Sequence, residues 1–474
     1  MLDALRPSWS TDATECIVLD HEHVAAVSPA AHRSGVSVGM RKSGAAIIAP
    51  QATLLERSPE KEHALLHQAA LAMLQYTPEV ALADDHTLLL NVSASLMLFK
   101  GPRGISRRVT HTLRAMQLNA TQGMAVTARG AWLLARRGQT GPRRRVRLAS
   151  LHTQLNQLPL SLLPAAQKHA DWLRGIGCHT LGALRRLPRA GLQRRVGTEV
   201  VRAMDVAYGE IPEVHAWFTA PLVFKQRIEL IERLEHTSAV HAVAQELIAQ
   251  MSGWLVHRQR AITQLILSME HEIGRHARPP TQLALPLAAP AWQASHLQHL
   301  LKEKLDRVTL EAPVVAIGLE TPDTVEMPAI STTLFPEPGG TAADHIRLLD
   351  LLAARLGPEQ VRQPNTQADH RPETANQWRT AIGRATPACP PADIERPFWL
   401  LDPPEALSTH QDKPYYGSPL TLVKGPERIE TGWWDGGLAV RDYFVAQDKH
   451  YVHYWIYRER DHHAARWYLH GLFG

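Results

Sequence analysis

The hydrophobic and polar positions change period several times along the first part of the chain. Alternating or continuous short apolar runs indicate strands, and apolar residues three and four apart indicate helices. Ser58 followed by Pro59 marks a helix start, because serine caps the helix and proline fits its first position. This pattern predicts strands at 16–27 and 88–99, and helices from 59, at 109–116 and at 128–137.

The pattern becomes purely helical in the middle of the chain and then alternates again. Residues 160–210 carry no strand signal and are predicted to form short helices. Thr341 and Asp344 have the spacing of a capping box for a helix that ends at Gly357. After a long helix at 238–257, we predict strands at 262–269, 282–287, 313–319 and near Val361, with helices at 292–308 and 341–357.

Composition divides the remaining chain. The segment that begins at residue 363 and precedes the β-rich region is rich in Pro, Gln, Ala and Thr and lacks periodicity, which is typical of a linker. The last 82 residues hold 5 of the 12 Trp and 7 of the 9 Tyr, and their runs favour strands. The expected regions are 1–155, 156–235, 236–362, a linker at 363–392, and a β-rich region at 393–474.

Length and charge narrow the class of protein. With 474 residues, several domains are expected. The net charge is only +5, but the basic residues are uneven: the stretches 136–147 and 185–195 are rich in arginine and contain no acid. Such stretches are either solvated faces or contacts to an anionic partner such as nucleic acid.

Cysteine, histidine and hydropathy exclude several classes of site. The 3 Cys contain no CxxC pair, which argues against a disulfide framework or a thiolate zinc site and fits a reducing cytoplasm. The 26 His show no HExxH motif. We expect no cofactor, no metal and no membrane segment, since no run of 18 apolar residues occurs.

Several segments carry recognisable motifs in a fixed order along the chain. They are Ala31-His32-Arg33-Ser34-Gly35-Val36 with Gly39-Met40, Leu90 to Phe99, Leu173 to Leu184, Gly425 to Glu430, Trp433-Trp434-Asp435, Arg441-Asp442-Tyr443 and Trp467 to Phe473. Together these segments resemble the Y-family translesion DNA polymerases, and more closely their ImuB branch. The first three are finger-like, palm-like and thumb-like motifs, and the tail resembles a segment that ordinary Y-family polymerases lack.

The resemblance implies an α+β multidomain fold. Residues 1–155 would form fingers and palm, 156–235 a helical thumb with a helix-hairpin-helix, and 236–362 a little finger. The small β-rich C-terminal domain would be the partner-binding part. The resemblance implies a role in DNA-damage-induced translesion synthesis and mutagenesis. It also implies a cytoplasmic location in association with the nucleoid.

The catalytic carboxylates of the family do not align with carboxylates here. Nucleotidyl transfer requires Mg²⁺ ions held by anionic oxygens. The family's Asp-Glu pair falls on His86 and Thr87. A two-residue slip would bring Asp84 and Asp85 into place, although we interpret these as solvated turn acids.

Two further positions depart from the family. The Tyr and Arg that hold the triphosphate in relatives fall on Pro29 and His32. We expect no counterpart of the first palm strand, which carries another family carboxylate, upstream of Cys16, and we expect Asp3 to lie in a helix. We therefore predict a non-catalytic homologue; the alternative is an active Y-family translesion polymerase.

DNA contacts are expected in the thumb and beside it. The turn of a helix-hairpin-helix offers backbone N–H groups to phosphates, and neighbouring arginines add charge. A plain helix–helix turn and a solvated arginine face are the alternatives. The candidates are Gly175, Ile176 and Gly177, then Arg185, Arg186, Arg189, Arg194 and Arg195, and a basic loop of Arg143, Arg144 and Arg145.

Protein partners are expected at two places. Leu334 and Phe335 resemble the anchors of a sliding-clamp peptide, although Ser331 replaces its glutamine. The segment 282–285 is a rival with the glutamine but no aromatic, and it is predicted to be strand. In the ImuB branch the C-terminal domain recruits an error-prone DNA polymerase III alpha-type subunit and a RecA-like ImuA-type protein. We expect most tryptophans of that domain, namely Trp433, Trp434, Trp455 and Trp467, to fill its core.

Overall fold

The computed structural model describes residues 1–6, 14–137, 143–272, 279–328, 341–381, 396–411, 413–460 and 466–473. The chain divides into two compact units, Met1–Pro338 and Gly339–Gly474, which we call the N-terminal and C-terminal units. Within the described ranges, no helix has both the length and the apolar character needed to cross a membrane.

The N-terminal unit mixes helices with short strands, as the α+β pattern predicted. Its helices are α1 Leu2–Leu5, α2 Pro29–Arg33, α3 Lys42–Ile48, α4 Pro59–Met73, α5 Gly101–Ala115, α6 Ala128–Arg136, α7 Leu148–Asn156, α8 Pro164–Gln167, α9 Ala170–Gly175, α10 Leu181–Arg186, α11 Arg189–Val196, α12 Thr198–Tyr208, α13 Thr237–Arg258 and α14 Ala294–Leu305. Its strands are β1 Cys16–Asp20, β2 His23–Val27, β3 Thr53–Glu56, β4 Val80–Ala83, β5 Thr87–Leu90, β6 Met124–Ala125, β7 Arg144–Arg145, β8 Lys225–Leu234, β9 Arg260–His271, β10 Thr281–Ala291, β11 Val314–Glu320 and β12 Thr324–Glu326.

The first apolar run forms a hairpin rather than the single strand predicted at 16–27. The chain reverses at His21, whose φ is 55°, so that β1 pairs with β2 antiparallel and with β3 in parallel. Helix α2 and the turn after it pack on this sheet through Ala31 and Val36, which are both fully buried. The finger-like motif therefore supplies a small core.

Helix α4 begins as predicted, and the strand after it is shorter than predicted. The Ser58 side chain accepts a hydrogen bond from the Lys61 N–H, with proline at the next position. Strand β5 ends at Leu90, because the Asn91 side chain accepts from the Ser93 N–H and starts a 3₁₀ turn at Ser93–Ser95. Local side-chain bonds of this kind compete with strand pairing.

The short helices α7 to α12 share one core, as the strand-free pattern predicted. Leucines from successive helices, including Leu151, Leu155, Leu173, Leu181 and Leu184, are buried together. This helical region is the one that carries the arginine-rich stretch and the glycine-containing turn.

The last part of the N-terminal unit is a sheet covered by two helices. The strand order is β10-β9-β11-β8, and β12 pairs with β9. Helix α14 buries Leu297, Leu300, Leu301 and Leu305 on its predicted face. Helix α13 also approaches α4 closely at Gly253, where a Cβ atom would come within 1.9 Å of the Leu71 carbonyl oxygen. Glycine allows this close contact between the two helices.

Two predictions about this sheet were wrong. The sheet includes β8, which precedes the expected boundary at 236. This strand was missed because its sequence is rich in charged residues. The strand predicted near Val361 does not close the sheet. It is β13, Arg362–Thr366, which pairs in the C-terminal unit with β14, Asn376–Thr380.

The C-terminal unit contains two helices and two sheets. Thr341 and Asp344 form the predicted capping box, and the helix ends at Gly357. Its helices are α15 Ala342–Leu356 and α16 Pro372–Ala375, and its further strands are β15 Trp399–His410, β16 Lys413–Tyr416, β17 Ser418–Pro419, β18 Thr421–Thr431, β19 Ala439–Gln447, β20 His453–Glu459 and β21 Trp467–Leu472. Seven strands form one sheet in the order β17-β16-β15-β21-β20-β19-β18.

The linker predicted at 363–392 is partly ordered. The hairpin of β13 and β14 and the helix α16 occupy most of its first half, and Arg371 between them is buried by ion pairs. Polar composition misled the prediction, because these residues are fixed by charge pairing rather than by an apolar core. Residues 382–395 lie outside the described part of the chain.

Candidate functional site

The positions that the resemblance assigns to the family's Asp-Glu pair lie at the tip of a hairpin. Strands β4 and β5 pair antiparallel, with Ala83 opposite Thr87. Asp84, Asp85 and His86 form the turn between them, and the latter two have φ near 55°. Of the two residues that align with the family's Asp-Glu pair, His86 therefore lies in the turn and Thr87 is the first residue of β5.

The two acids of the turn are exposed, as predicted. Asp85 is held by an ion pair, because Arg136 Nη2 lies 3.1 Å from Asp85 Oδ2. The Arg136 guanidinium also lies 4.2 Å from the Trp132 ring centre. A guanidinium thus already neutralises the acid that a slipped register would offer to a metal.

A second arginine holds the carboxylates next to the hairpin. Arg57 Nη1 donates to Asp20 Oδ2 at 2.7 Å, and Arg57 Nη2 donates to Glu62 Oε2 at 3.2 Å. Glu62 is buried at the start of α4, and the hydrogen bond to it is the largest cause that raises the pKa of Arg57. No local pattern predicts this cluster, because Asp20 and Arg57 are 37 residues apart.

His86 completes the cluster on its other side. His86 Nε2 lies 3.6 Å from Glu62 Oε2. Burial lowers the pKa of His86, and the nearby Glu62 carboxylate opposes that shift. The imidazole is therefore neutral at pH 7, when it is a nitrogen ligand rather than an anionic oxygen.

This donor set does not fit the Mg²⁺ ions of a polymerase. Magnesium takes octahedral oxygen ligands, usually with one or two carboxylates free to bind it. Here Glu62, Asp20 and Asp85 each face a guanidinium. Among the described residues, no group of three or more His, Cys, Asp or Glu side chains is arranged to hold a metal.

A cavity of about 1170 Å³ adjoins the hairpin. Leu88 and Leu90 of β5 line it together with residues of α4, α5 and α6. In the described chain β5 pairs only with β4, although three consecutive leucines are typical of a strand buried on both faces. Asp3 lies on the rim in helix α1, as predicted, and accepts a hydrogen bond from the Asn119 amide.

The two positions that the resemblance assigns to triphosphate ligands both lie in α2. Pro29 occupies the first position of α2 and offers no donor. His32 lies on the exposed side of the same helix. Neither side chain contacts the Arg57 cluster through any described hydrogen bond or ion pair.

The thumb turn differs from the expected phosphate site. The N–H groups of Ile176, Gly177 and Cys178 donate to the carbonyl groups of Trp172, Arg174 and Leu173 at 2.9–3.2 Å. They satisfy the C-terminal end of α9, with Gly177 at φ 75°. These amides therefore donate within the protein, as they do in a plain helix–helix turn.

The thumb arginines fall into two groups. Arg185 donates to Glu210 at 2.7 Å and lies over the Tyr208 ring, and Arg189 pairs with the buried Asp205. The other predicted contacts are exposed and form no ion pair with a described residue, namely Arg186, Arg194 and Arg195. Arg185 and Arg189 are thus paired within the protein, whereas the other three guanidinium groups are exposed to solvent.

Two arginines of the basic stretch before α7 form hydrogen bonds within the protein. Arg143 donates to the Arg137 carbonyl at 3.0 Å, and Arg145 donates to Gln154 at 3.0 Å. Arg144 and Arg145 form β7, which pairs in parallel with β6. The predicted loop is therefore a short strand beside the helical core.

The clamp-like residues Leu334 and Phe335 lie outside the described residues. Their rival segment is excluded as an extended loop. Gln282 lies in β10 opposite Ser268, and Leu283 and Leu285 are buried in the sheet.

Sequence comparison supports the relationship that these segments suggested. Residues 9–136 match the impB/mucB/samB family. The chain is 25% identical to Protein ImuB of Caulobacter vibrioides, strain NA1000 / CB15N, over 470 residues. The match covers 93% of this chain and 100% of the relative, and the protein from strain ATCC 19089 gives the same values. The chain is therefore similar to ImuB over nearly its whole length.

Solved structures of Y-family polymerases overlap this chain weakly. A Dbh ternary complex shares 16% identity and a TM-score of 0.38, covering 68% of this chain and 95% of that one. DinB from Sulfolobus solfataricus shares 16% identity with a TM-score of 0.37, covering 69% and 95%.

The tryptophans of the C-terminal unit only partly fill its core as predicted. Trp455 and Trp467 are buried, on opposite faces of the large sheet. Trp433 and Trp434 are 72% and 60% exposed, so the expectation of a core role was wrong for them. They lie in the connection between β18 and β19, outside the paired strands.

Proposed function

We propose that the chain is a non-catalytic adaptor in DNA-damage-induced translesion synthesis. It binds damaged primer–template DNA and the sliding clamp and recruits an error-prone polymerase. The homology to ImuB and the impB/mucB/samB match support a polymerase-related role in DNA damage. The non-catalytic nature rests on the side chains around the hairpin.

The observation that carries this proposal is the pairing of Arg57. Its guanidinium binds both Asp20 and Glu62, so a fixed internal cation neutralises the carboxylates beside the hairpin. A metal ion would have to displace that cation and then coordinate without His86 or Thr87 supplying an anionic oxygen. This arrangement favours a protein that keeps the polymerase-like scaffold without its chemistry.

The alternative is an active Y-family polymerase that uses Asp84 and Asp85. Its alignment with the family motif would shift by two residues, which places Asp84 and Asp85 at the carboxylate positions. Asp85 would also have to leave Arg136. Primer extension with purified protein distinguishes the two functions.

DNA binding is proposed to depend on the exposed thumb arginines. Arg186, Arg194 and Arg195 lie on the outer sides of α10 and α11. Contacts of this type to phosphates position a protein on DNA without reading its sequence. Arg185 and Arg189 are proposed to hold the thumb together, because Glu210 and Asp205 neutralise them.

The clamp contact through Leu334 and Phe335 remains a prediction. An aliphatic and an aromatic anchor suit the apolar pocket that such peptides enter. Recruitment of the polymerase III alpha-type subunit and of the RecA-like ImuA-type protein is proposed for the C-terminal unit, whose exposed aromatic side chains suit interfaces.

A further inference from the structure

Helix α5 presents a line of arginines on its outer side. Arg103, Arg107 and Arg114 are exposed, and none of them forms an ion pair or a side-chain hydrogen bond with a described residue. At 3.6 residues per turn, the three side chains fall within an arc of about 40° and extend along about 16 Å of the helix. We call these three residues the arginine stripe.

The other side of α5 packs into the protein, which fixes the direction of the arginine stripe. Ile105 and Thr112 are buried, and Val109 and Leu113 line the cavity beside β5. The stripe therefore points away from the cavity and from the hairpin of β4 and β5. It is also separate from the thumb arginines, which lie on α10 and α11.

The sequence around the arginine stripe contains no carboxylate to pair with it. Between residues 86 and 170 the chain has 13 Lys and Arg but no Asp or Glu. A helix face that is only solvated usually carries opposite charges three or four residues apart, and α5 has none. The exposed cations of β8 differ, because each pairs with a glutamate: Lys225 with Glu320, Arg227 with Glu270 and Arg233 with Glu272. The stripe is thus available to an external anion.

The chemistry of the stripe fits a DNA backbone better than a membrane or a protein. A helix that lies on a membrane inserts its apolar side. The apolar side of α5 is buried, and this helix, which lies wholly in the described chain, exposes no large hydrophobic side chain. The core of a protein interface is rich in aromatic groups and poor in charge, unlike the stripe.

Duplex DNA provides the matching anions. It carries one negative charge for about every 1.7 Å of its axis, so several phosphates face a stripe of this length. Each guanidinium can donate two parallel hydrogen bonds to a phosphate, which an ammonium group cannot do. The three free arginines therefore match the regular charge of a DNA backbone.

We propose that the arginine stripe of α5 is a second DNA contact, which binds the phosphate backbone outside the segment held by the thumb. The contact is electrostatic and reads no base sequence. This inference rests on the DNA binding in the proposed function and adds a contact on a different helix. Two linked contacts hold DNA more tightly than either one alone, because the second forms at a high effective concentration.

The test measures binding of the full chain to a labelled primer–template by fluorescence anisotropy at several salt concentrations. Arg103→Gln with Arg107→Gln and Arg114→Gln should raise the Kd on the order of tenfold and reduce the slope of log K against log salt by about 2–3. Because the three side chains are exposed, the melting temperature of this stripe variant should match that of the wild type.

The matched control removes the same amount of positive charge from the paired cations of β8. It consists of Lys225→Gln, Arg227→Gln and Arg233→Gln. Since these cations are already neutralised by glutamates, the salt slope of the control should change by less than about 1.

The outcomes separate this inference from the proposed function. An unchanged slope in the stripe variant, or an equal reduction in the control, overturns the second contact and leaves the thumb contacts intact. If the wild-type chain binds no DNA, the proposed DNA binding fails together with this inference. If the stripe variant melts at a lower temperature, Arg103→Gln with Arg107→Gln carries the same prediction, with a slope reduction of about 1.8.

Anionic vesicles test a lipid partner. Met97 and Leu98 are exposed just before α5, so the same proteins are mixed with vesicles that contain phosphatidylserine. We expect the stripe variant to lose DNA affinity whether or not the wild type binds vesicles. Loss of vesicle binding in that variant, with its DNA affinity and salt slope unchanged, would assign the stripe to a membrane and overturn the proposal.

Discussion

His86 Nε2 lies 3.6 Å from Glu62 Oε2. Glu62 in turn accepts from Arg57, which also binds Asp20. The carboxylates beside the hairpin are therefore held within the protein by a guanidinium and an imidazole. Our proposal that the chain is non-catalytic rests on this internal pairing.

The Arg57 cluster should contribute to folding stability. Arg57→Met leaves the buried Glu62 carboxylate with only a neutral His86 nearby, so the free energy of unfolding should fall by about 1–3 kcal/mol. Urea denaturation followed by circular dichroism measures the loss. Adding Glu62→Gln to this variant should recover part of it, since the stranded charge is then removed. A single variant as stable as the wild type would show that the cluster is only a surface contact.

The thumb arginines should divide into DNA contacts and structural pairs. Replacing Arg186, Arg194 and Arg195 with Ala should weaken DNA binding equally on unrelated sequences. It should also reduce the slope of log K against log salt by about 2–3, at about 0.9 for each lost phosphate contact. Fluorescence anisotropy at several salt concentrations measures both quantities.

The paired arginines provide the matched control. Arg185→Ala with Arg189→Ala removes ion pairs to Glu210 and Asp205, so it should lower the melting temperature and leave the salt slope nearly unchanged. If the double variant reduces the salt slope as much as the triple variant does, the division into DNA-contacting and structural arginines is wrong.

Glu246 should make stability depend on pH. Burial in α13 raises the pKa of Glu246 from 4.5 to about 8. Between these values the folded state binds a proton that the unfolded state releases, so the contribution of Glu246 to stability is present below pH 4.5 and is lost as pH rises towards 8. Relative to the wild type, Glu246→Gln should flatten the stability profile in this window. Parallel profiles for the two proteins, measured by chemical denaturation at each pH, would contradict the assignment.

Local signals in the sequence predicted much of the fold. The Ser58-Pro59 start of α4, the capping box at Thr341 and the leucine face of α14 each depend on residues within one or two helical turns. Such features are readable because their partners are near in sequence. The β-rich character of the C-terminal region was also readable from its aromatic composition.

Features that depend on distant partners were not predictable. Strand β8 is charged, and only its pairing with β11 reveals its place in the sheet. The pairing of Arg57 with Asp20, and the clamping of Asp435 by Arg371, join residues that no local pattern connects. The exposure of Trp433 was equally hidden, because tryptophan composition fits a core and an interface alike.

Primer extension distinguishes a non-catalytic chain from an active polymerase. Purified protein is incubated with a labelled primer–template, all four deoxynucleotides and either Mg²⁺ or Mn²⁺, with an active Y-family polymerase in parallel. We predict no incorporation above background, although the protein binds the same DNA. Robust extension that disappears in Asp84→Ala or Asp85→Ala would contradict this account and establish the chain as an active polymerase.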